Sequence, residues 1–184
     1  YLTVSRLVSY KKIPLIVEAF NQLGLPLILI GEGPQLELVR QMAKPNITIL
    51  GGQPNSVVEQ YMSQAKAFIY AACEDFGIAP VEAQACGTPV IALGQGGALE
   101  TIKDIRTFPQ DGTGILFEKQ TAEHLVQAVE TFCEIGHQIK LDSCRLQATR
   151  FTPKIFISSY LAFLEDCQLS ELSSAPPYNG GVCG

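Results

Sequence analysis

Read for hydrophobic and polar positions, the chain alternates between two textures. Short apolar runs fall at 2–5, 27–30, 47–50, 67–70, 89–92 and 115–117. They are continuous rather than alternating, the pattern of strands covered on both faces and hence of a parallel sheet. Between them, apolar residues recur at helical spacing. Leu15, Val17, Ala19, Phe20 and Leu23 mark 14–23; Leu36, Leu38, Val39 and Met42 mark 34–43; Val57, Val58, Tyr61 and Met62 mark 55–64. The small apolar stretch 79–86 is a fourth such segment, and 121–132, with Leu125, Val126, Ala128, Val129 and Phe132, is a fifth. Pro34 and Pro54 suit the first turn of a helix, where a missing N–H costs nothing. Thr121 opens a helix without a full capping box. Strand, helix, strand repeated in this way predicts a doubly wound, Rossmann-like α/β parallel sheet. Ligands of such sheets bind outside the carboxyl ends of the strands, so the chemistry is sought in the loops that follow each strand.

A last periodic segment, 153–165, carries Ile155, Phe156, Ile157, Tyr160, Leu161 and Leu164 on more than one narrow stripe. It predicts a helix that packs on something beyond the core. The stretch 172–184 holds Ser-Ser, Pro-Pro and Gly-Gly and is expected to be disordered. The reading is therefore one domain over 1–166 and a disordered tail over 167–184.

Composition narrows the function. With 184 residues, 47% hydrophobic and 17% charged, the chain suits one ordered domain. A net charge of -5 gives no footprint for nucleic acid or an anionic membrane. No apolar run approaches the roughly 20 residues of a membrane helix. The chain opens without Met and inside a strand, and reads as a fragment. The six cysteines, at 73, 86, 133, 144, 167 and 183, form no C-x-x-C pair. They are expected as mostly buried, small apolar residues of a cytoplasmic protein, with no zinc or disulfide framework.

The richest loop follows 67–70: Cys73-Glu74-Asp75-Phe76-Gly77-Ile78-Ala79-Pro80-Val81-Glu82. Gly77 allows close backbone approach. The helix starting near Pro80 offers its first-turn N–H groups to an anion. Glu74 before that helix and Glu82 one turn into it can reach opposite ends of one ligand, and carboxylates accept from sugar hydroxyls. Two glutamates eight apart are also common by chance. The combination with Phe-Gly, Pro, Glu-Ala and then Gly87-Thr88-Pro89-Val90-Ile91 is far more specific.

That segment resembles the E-x7-E signature of family 4 retaining glycosyltransferases, the glycosyltransferase group 1 domain. Other stretches resemble the family's motifs in order: Ser5-Arg6-Leu7-Val8-Ser9-Tyr10-Lys11, Ile30-Gly31-Glu32-Gly33-Pro34, Ile47-Thr48-Ile49-Leu50-Gly51, Gly96-Gly97-Ala98-Leu99-Glu100-Thr101 and Gly112-Thr113-Gly114-Ile115-Leu116-Phe117. The resemblance spans roughly 1–165. It departs where Ser5 replaces a Gly, where Ala71 replaces a Pro, and at 105–110, which looks like an insertion.

The resemblance implies the C-terminal, donor-binding half of a two-domain GT-B enzyme whose N-terminal domain is absent. Arg6 and Lys11 would neutralise the donor diphosphate. Glu82 would bind ribose hydroxyls. Glu74 would hold sugar hydroxyls and help stabilise an oxocarbenium-like centre. Asp75, Phe76, Gly77 and Ile78 would contact sugar and phosphates, and Leu50-Gly51 would lie near the nucleobase. The nucleotide-sugar is then a substrate; no cofactor and no tightly bound metal is implied, and there is no Asp-x-Asp motif. Peripheral membrane association through the absent domain stays open. The fragment alone is expected to be poorly active. The alternative is a non-catalytic nucleotide-binding or interaction module of the same fold. A nucleotide-sugar epimerase would need an acid/base pair that is missing here. His124 and His137 read as surface residues, Cys73 as no nucleophile beside a carboxylate, and Gly31-x-Gly33-Pro34 as no dinucleotide fingerprint, because the third glycine is missing.

Overall fold

The computed structural model describes residues 1–174; the remainder of the segment expected to be disordered, 175–184, lies outside the described residues. Two compact units are present, Tyr1–Thr149 and Arg150–Gly184.

The first unit is a parallel sheet wound on both faces. Its six strands are β1 (Leu2–Val4), β2 (Leu27–Ile30), β3 (Ile47–Gly51), β4 (Phe68–Tyr70), β5 (Val90–Leu93) and β6 (Gly114–Phe117). They lie in the order β3-β2-β1-β4-β5-β6, all parallel. The helices are α1 (Ile13–Leu23), α2 (Leu36–Met42), α3 (Asn55–Gln64), α4 (Ile78–Ala85), α5 (Ala98–Thr101), α6 (Ala122–Ile135) and α7 (Leu141–Thr149). Each of the six apolar runs is a strand, and each of the five amphipathic segments contains a helix.

The period of two along each strand divides the core. Leu29, Ile69, Ile91, Leu93 and Ile115 join Ile13, Ile16, Val17, Phe20, Leu125, Val129 and Phe132 of α1 and α6 on one face. Ile30, Phe68, Tyr70, Val90 and Ala92 join Met62 of α3, Ala83 of α4 and Ala98 of α5 on the other. Both faces are dry, which is why the strands read as continuous apolar runs.

Three differences from the sequence reading have physical causes. Helix α2 starts at Leu36, not Pro34, because Gly33 to Leu36 closes a turn, the Leu36 N–H reaching the Gly33 carbonyl at 3.0 Å, and Pro34 occupies the second turn position its fixed φ favours. Helix α7 went unpredicted because it buries Cys144, Gln147 and Ala148 while Leu141 and Leu146 face outward. Its buried face is polar or small, so it has no apolar stripe to read. The cysteines are not mostly buried: among the described ones only Cys144 is, and Cys73, Cys133 and Cys167 are exposed. Cys73 stands in the loop after β4 and Cys133 on the outer side of α6, beside the Tyr1 hydroxyl at 3.2 Å.

Among its described residues the second unit contains one helix, α8 (Pro153–Ser174). It runs past residue 165 because no Gly or Pro stands between Pro153 and Pro176. Ile155, Phe156, Ile157, Tyr160, Leu161, Phe163 and Leu164 are exposed along it. The rings of Phe156 and Tyr160 stack at 5.9 Å, as residues four apart on a helix can.

Candidate functional site

The order of the strands reverses between β1 and β4, and there the sheet is least knitted. These neighbours share a single register pair, Leu2 with Phe68. Beyond it their carboxyl ends part, and the loops following the two strands face each other across the opening. This is the switch-point crevice in which doubly wound sheets take ligands.

The loop after β1 is tied to the loop after β2. The Ser5 N–H donates to the Ile30 carbonyl at 3.0 Å, Leu7 to Glu32 at 2.8 Å, and Gln35 back to Leu7 at 3.0 Å. The backbones approach so closely that a side chain at Gly31 would collide with the Ser5 carbonyl, and a Cβ on Gly33 would stand 2.5 Å from that of Leu7. The zipped loop presents Arg6, exposed, and then a 3-10 turn (Ser9–Lys11) carrying Lys11. Among the described residues the Arg6 guanidinium has no ion-pair partner.

The loop after β4 is braced from the other side. The Gly97 N–H donates to the Glu74 carbonyl at 2.8 Å. A Cβ on Gly97 would lie 2.5 Å from the Phe76 Cα, so only glycine allows this contact. The braced loop aims Glu74 at Lys11: the Lys11 Nζ donates to the Glu74 Oε1 across the crevice. About a fifth of each side chain is exposed (18% and 21%), so the pair is shielded but reachable. The ammonium also lies 5.2 Å from the centroid of the Tyr10 ring and 5.6 Å from that of Tyr70, both within cation–π reach.

Gly77 follows as the N-cap of α4, at φ +81°, a left-handed conformation that suits glycine. No side chain caps this helix, so its first-turn N–H groups are left without a side-chain acceptor. Asp75, Phe76 and Ile78 are exposed around it.

Glu82 stands apart from Glu74. It is exposed on α4 and lines a cleft of about 580 Å³ between α3 and α4, with Asn55, Ser56, Glu59, Met62 and Cys86. Burial pushes the Cys86 thiol pKa up, and the nearby carboxylates of Glu59 and Glu82 push it further. Leu50 and Gly51 close β3, the Gly51 carbonyl accepting from the Gly31 N–H at 2.8 Å. Thus the structure joins Lys11 and Glu74 directly, puts Gly77 and Ile78 beside them, and leaves Glu82 one helical turn away.

Two features of the site escaped the sequence reading. The bracing of Glu74 by Gly97 links residues with no local signal. Tyr70, hidden in an apolar run, has a buried hydroxyl without a hydrogen-bond partner. Other motifs proved structural. His124 Nδ1 pairs with Thr121 Oγ1 at 2.9 Å at the start of α6. The 105–110 stretch folds around Asp104, which accepts from Arg106 Nε at 2.9 Å and Nη2 at 2.6 Å and from the Leu116 N–H at 2.8 Å. Burial favours the neutral acid of Asp104, but these bonds outweigh it and hold the pKa below the ordinary carboxylate value. Among the described residues no three His, Cys, Asp or Glu side chains group as a metal site, and no helix is long and apolar enough to cross a membrane.

The geometry has counterparts. Anabaena HepE, solved in complex with UDP, matches with a TM-score of 0.73 over 91% of this chain and 49% of that one, at 20% identity. A glycosyltransferase from Rickettsia africae matches with a TM-score of 0.74 over 90% and 46%, at 22% identity. These establish the fold as the Rossmann-like half of the GT-B architecture. Among curated proteins, the chain is 29% identical over 136 residues to glycogen synthase 2 of Geobacter sulfurreducens, covering 69% of this chain and 28% of the relative. It is 28% identical over 144 residues to the GDP-mannose-dependent alpha-(1-6)-phosphatidylinositol monomannoside mannosyltransferase of Mycobacterium tuberculosis, covering 68% and 36%. The chain thus spans about a third of the length of these relatives. Residues 1–149, which make up the whole sheet-containing unit, match the sequence model of the glycosyl transferases group 1, and the chain belongs to that family.

Proposed function

We propose that the chain is the donor-binding half of a retaining glycosyltransferase, which moves a sugar from a nucleotide-sugar to an acceptor held by a second, N-terminal domain. The observation that carries this reading is the Lys11–Glu74 pair beside the uncapped N-terminus of α4 at the switch point. A departing diphosphate gathers negative charge in the transition state. Fixed cations and helix N–H groups stabilise it without reorganising. Arg6 and Lys11 take the diphosphate. Glu74 then accepts from the sugar hydroxyls and faces the positive charge that develops at the anomeric carbon. Glu82 holds the ribose in the cleft toward α3, and Leu50-Gly51 borders the base. The backbone of Asp75, Phe76, Gly77 and Ile78 lies along the sugar and phosphates. The α8 helix, with its exposed apolar residues, belongs with the second domain in this reading. The site works inside a cytoplasmic enzyme, needs no tightly bound metal, and is poorly active without its partner domain.

Calorimetry with UDP-, GDP- and ADP-sugars on the full-length protein and on an Arg6→Ala/Lys11→Ala variant tests the proposal. One nucleotide class should bind, and the double variant should lose about 1.5–3 kcal/mol for each charge-assisted contact. NMR of the product should show the donor's anomeric configuration retained. Nucleotide-sugar binding by the folded full-length protein with no sugar transfer would instead favour a non-catalytic module, and a folded Glu74→Ala protein that transfers sugar at the wild-type rate would remove Glu74 from the catalytic machinery.

A further inference from the structure

Tyr70 is the last residue of β4 and is only 6% exposed. Its ring packs in the apolar cluster with Leu2, Met62 and Phe68. Phenylalanine would fill that space equally well. The oxygen is therefore not explained by packing, and it is unpaired, since no hydrogen-bond partner exists for it among the described residues. Buried hydroxyls of this kind are uncommon because leaving one unpaired is destabilising.

The direction of the hydroxyl supplies the reason. A Cβ built on Gly77 would lie 3.2 Å from the Tyr70 oxygen. The space a side chain would take at the N-cap of α4 is thus within hydrogen-bonding reach of the phenol. Gly77 puts no side chain there, and the helix, eight residues long, has no side-chain cap. The Lys11 ammonium lies over the face of the same Tyr70 ring at 5.6 Å. A cation, a helix N-terminus and an unpaired O–H thus lie around one ring. All three favour a ligand that is anionic and offers acceptor oxygens.

We infer that the Tyr70 hydroxyl is a further diphosphate contact, donating to a phosphate oxygen of the donor at the start of α4. This rests on the donor-site reading above and adds to it a neutral donor from the strand itself, beside the charge of Lys11.

The test is Tyr70→Phe in the full-length protein. Affinities for UDP, GDP and ADP are measured by calorimetry beside uridine, guanosine and adenosine, with the melting temperature of the ligand-free protein. A hydrogen bond to a charged oxygen corresponds to at least about tenfold in affinity. Tyr70→Phe should weaken the nucleoside diphosphate that the wild type binds by that factor. Affinity for the matching nucleoside should be unchanged, and the ligand-free protein should melt no lower than wild type. Equal diphosphate affinity in the two proteins overturns the inference and leaves the donor-site reading standing. A parallel loss for diphosphate and nucleoside with a lower melting temperature also overturns it, because the hydroxyl would then act through the fold. Failure of the wild type to bind any of the three diphosphates overturns both.

Discussion

Gly97→Ala separates the position of Glu74 from its presence. Gly97 has ordinary right-handed helical backbone angles, so alanine brings no dihedral strain. The difficulty is spatial. A Cβ there would lie 2.5 Å from the Phe76 Cα, about 1 Å inside the 3.4 Å at which ordinary van der Waals contact begins. The obstacle is backbone and cannot rotate away. The loop carrying Glu74 must therefore move by about 1 Å, and the Gly97 N–H bond that holds the Glu74 carbonyl is stretched with it. Overpacking of this kind costs about 1–3 kcal/mol, which lowers the melting temperature by a few degrees and leaves the protein folded. A displacement of about 1 Å at a reacting centre can cost on the order of 10²-fold in rate. The expected result is a folded Gly97→Ala protein whose kcat/KM for sugar transfer falls by roughly that factor. Gly24→Ala is the control. Gly24 has φ +67° with nothing within 4 Å of a Cβ, so alanine there costs about 1–2 kcal/mol of backbone strain and leaves kcat/KM intact. Wild-type kcat/KM in Gly97→Ala would refute the claim that this brace places Glu74.

Asp104→Ala should destabilise the protein by about 2 kcal/mol, since it leaves the Leu116 N–H and the half-exposed Arg106 without their acceptor. Because the Asp104 pKa is lowered in the fold, its contribution is present above the unfolded value of 3.8 and fades as pH drops through the folded one. Urea titrations of wild type and variant should therefore converge in strongly acidic buffer and diverge at neutral pH. Thr121→Ala removes the acceptor for the His124 N–H at the start of α6 and should cost about 0.5–1 kcal/mol by thermal melting, with no effect on nucleotide affinity.

Much of the fold was legible because its signals are local. The continuous run Leu27–Ile30 is too short for a helix and reads as a strand buried on both faces, and Phe20, Val17 and Ile16 mark one helical stripe. The loop after β4 was legible from Gly77 and the glutamates around it. What was not legible depends on contacts distant in sequence. Gln147 is buried because its amide reaches the Glu100 and Thr101 carbonyls, 47 and 46 residues away, so α7 has a polar inner face that reads as surface. The Lys11–Glu74 pair spans 63 residues, and Lys11 beside Lys12 looks like any solvated loop charge until the sheet order brings β1 against β4.

That seam has a consequence for how the chain assembles. Every other strand pairing among the described residues joins strands consecutive in sequence, whereas β1 meets β4 only after β2 and β3 have intervened. The entropy lost on closing a loop rises with its length, so this contact is the most demanding one in the sheet and rests on one register pair. In the proposed site, a ligand held by Arg6 and Lys11 on one side and the α4 N-terminus on the other would bridge the two halves at that weakest join. Its binding free energy would add to the stability of the fold by mass action, so occupancy of the crevice would favour the completed sheet.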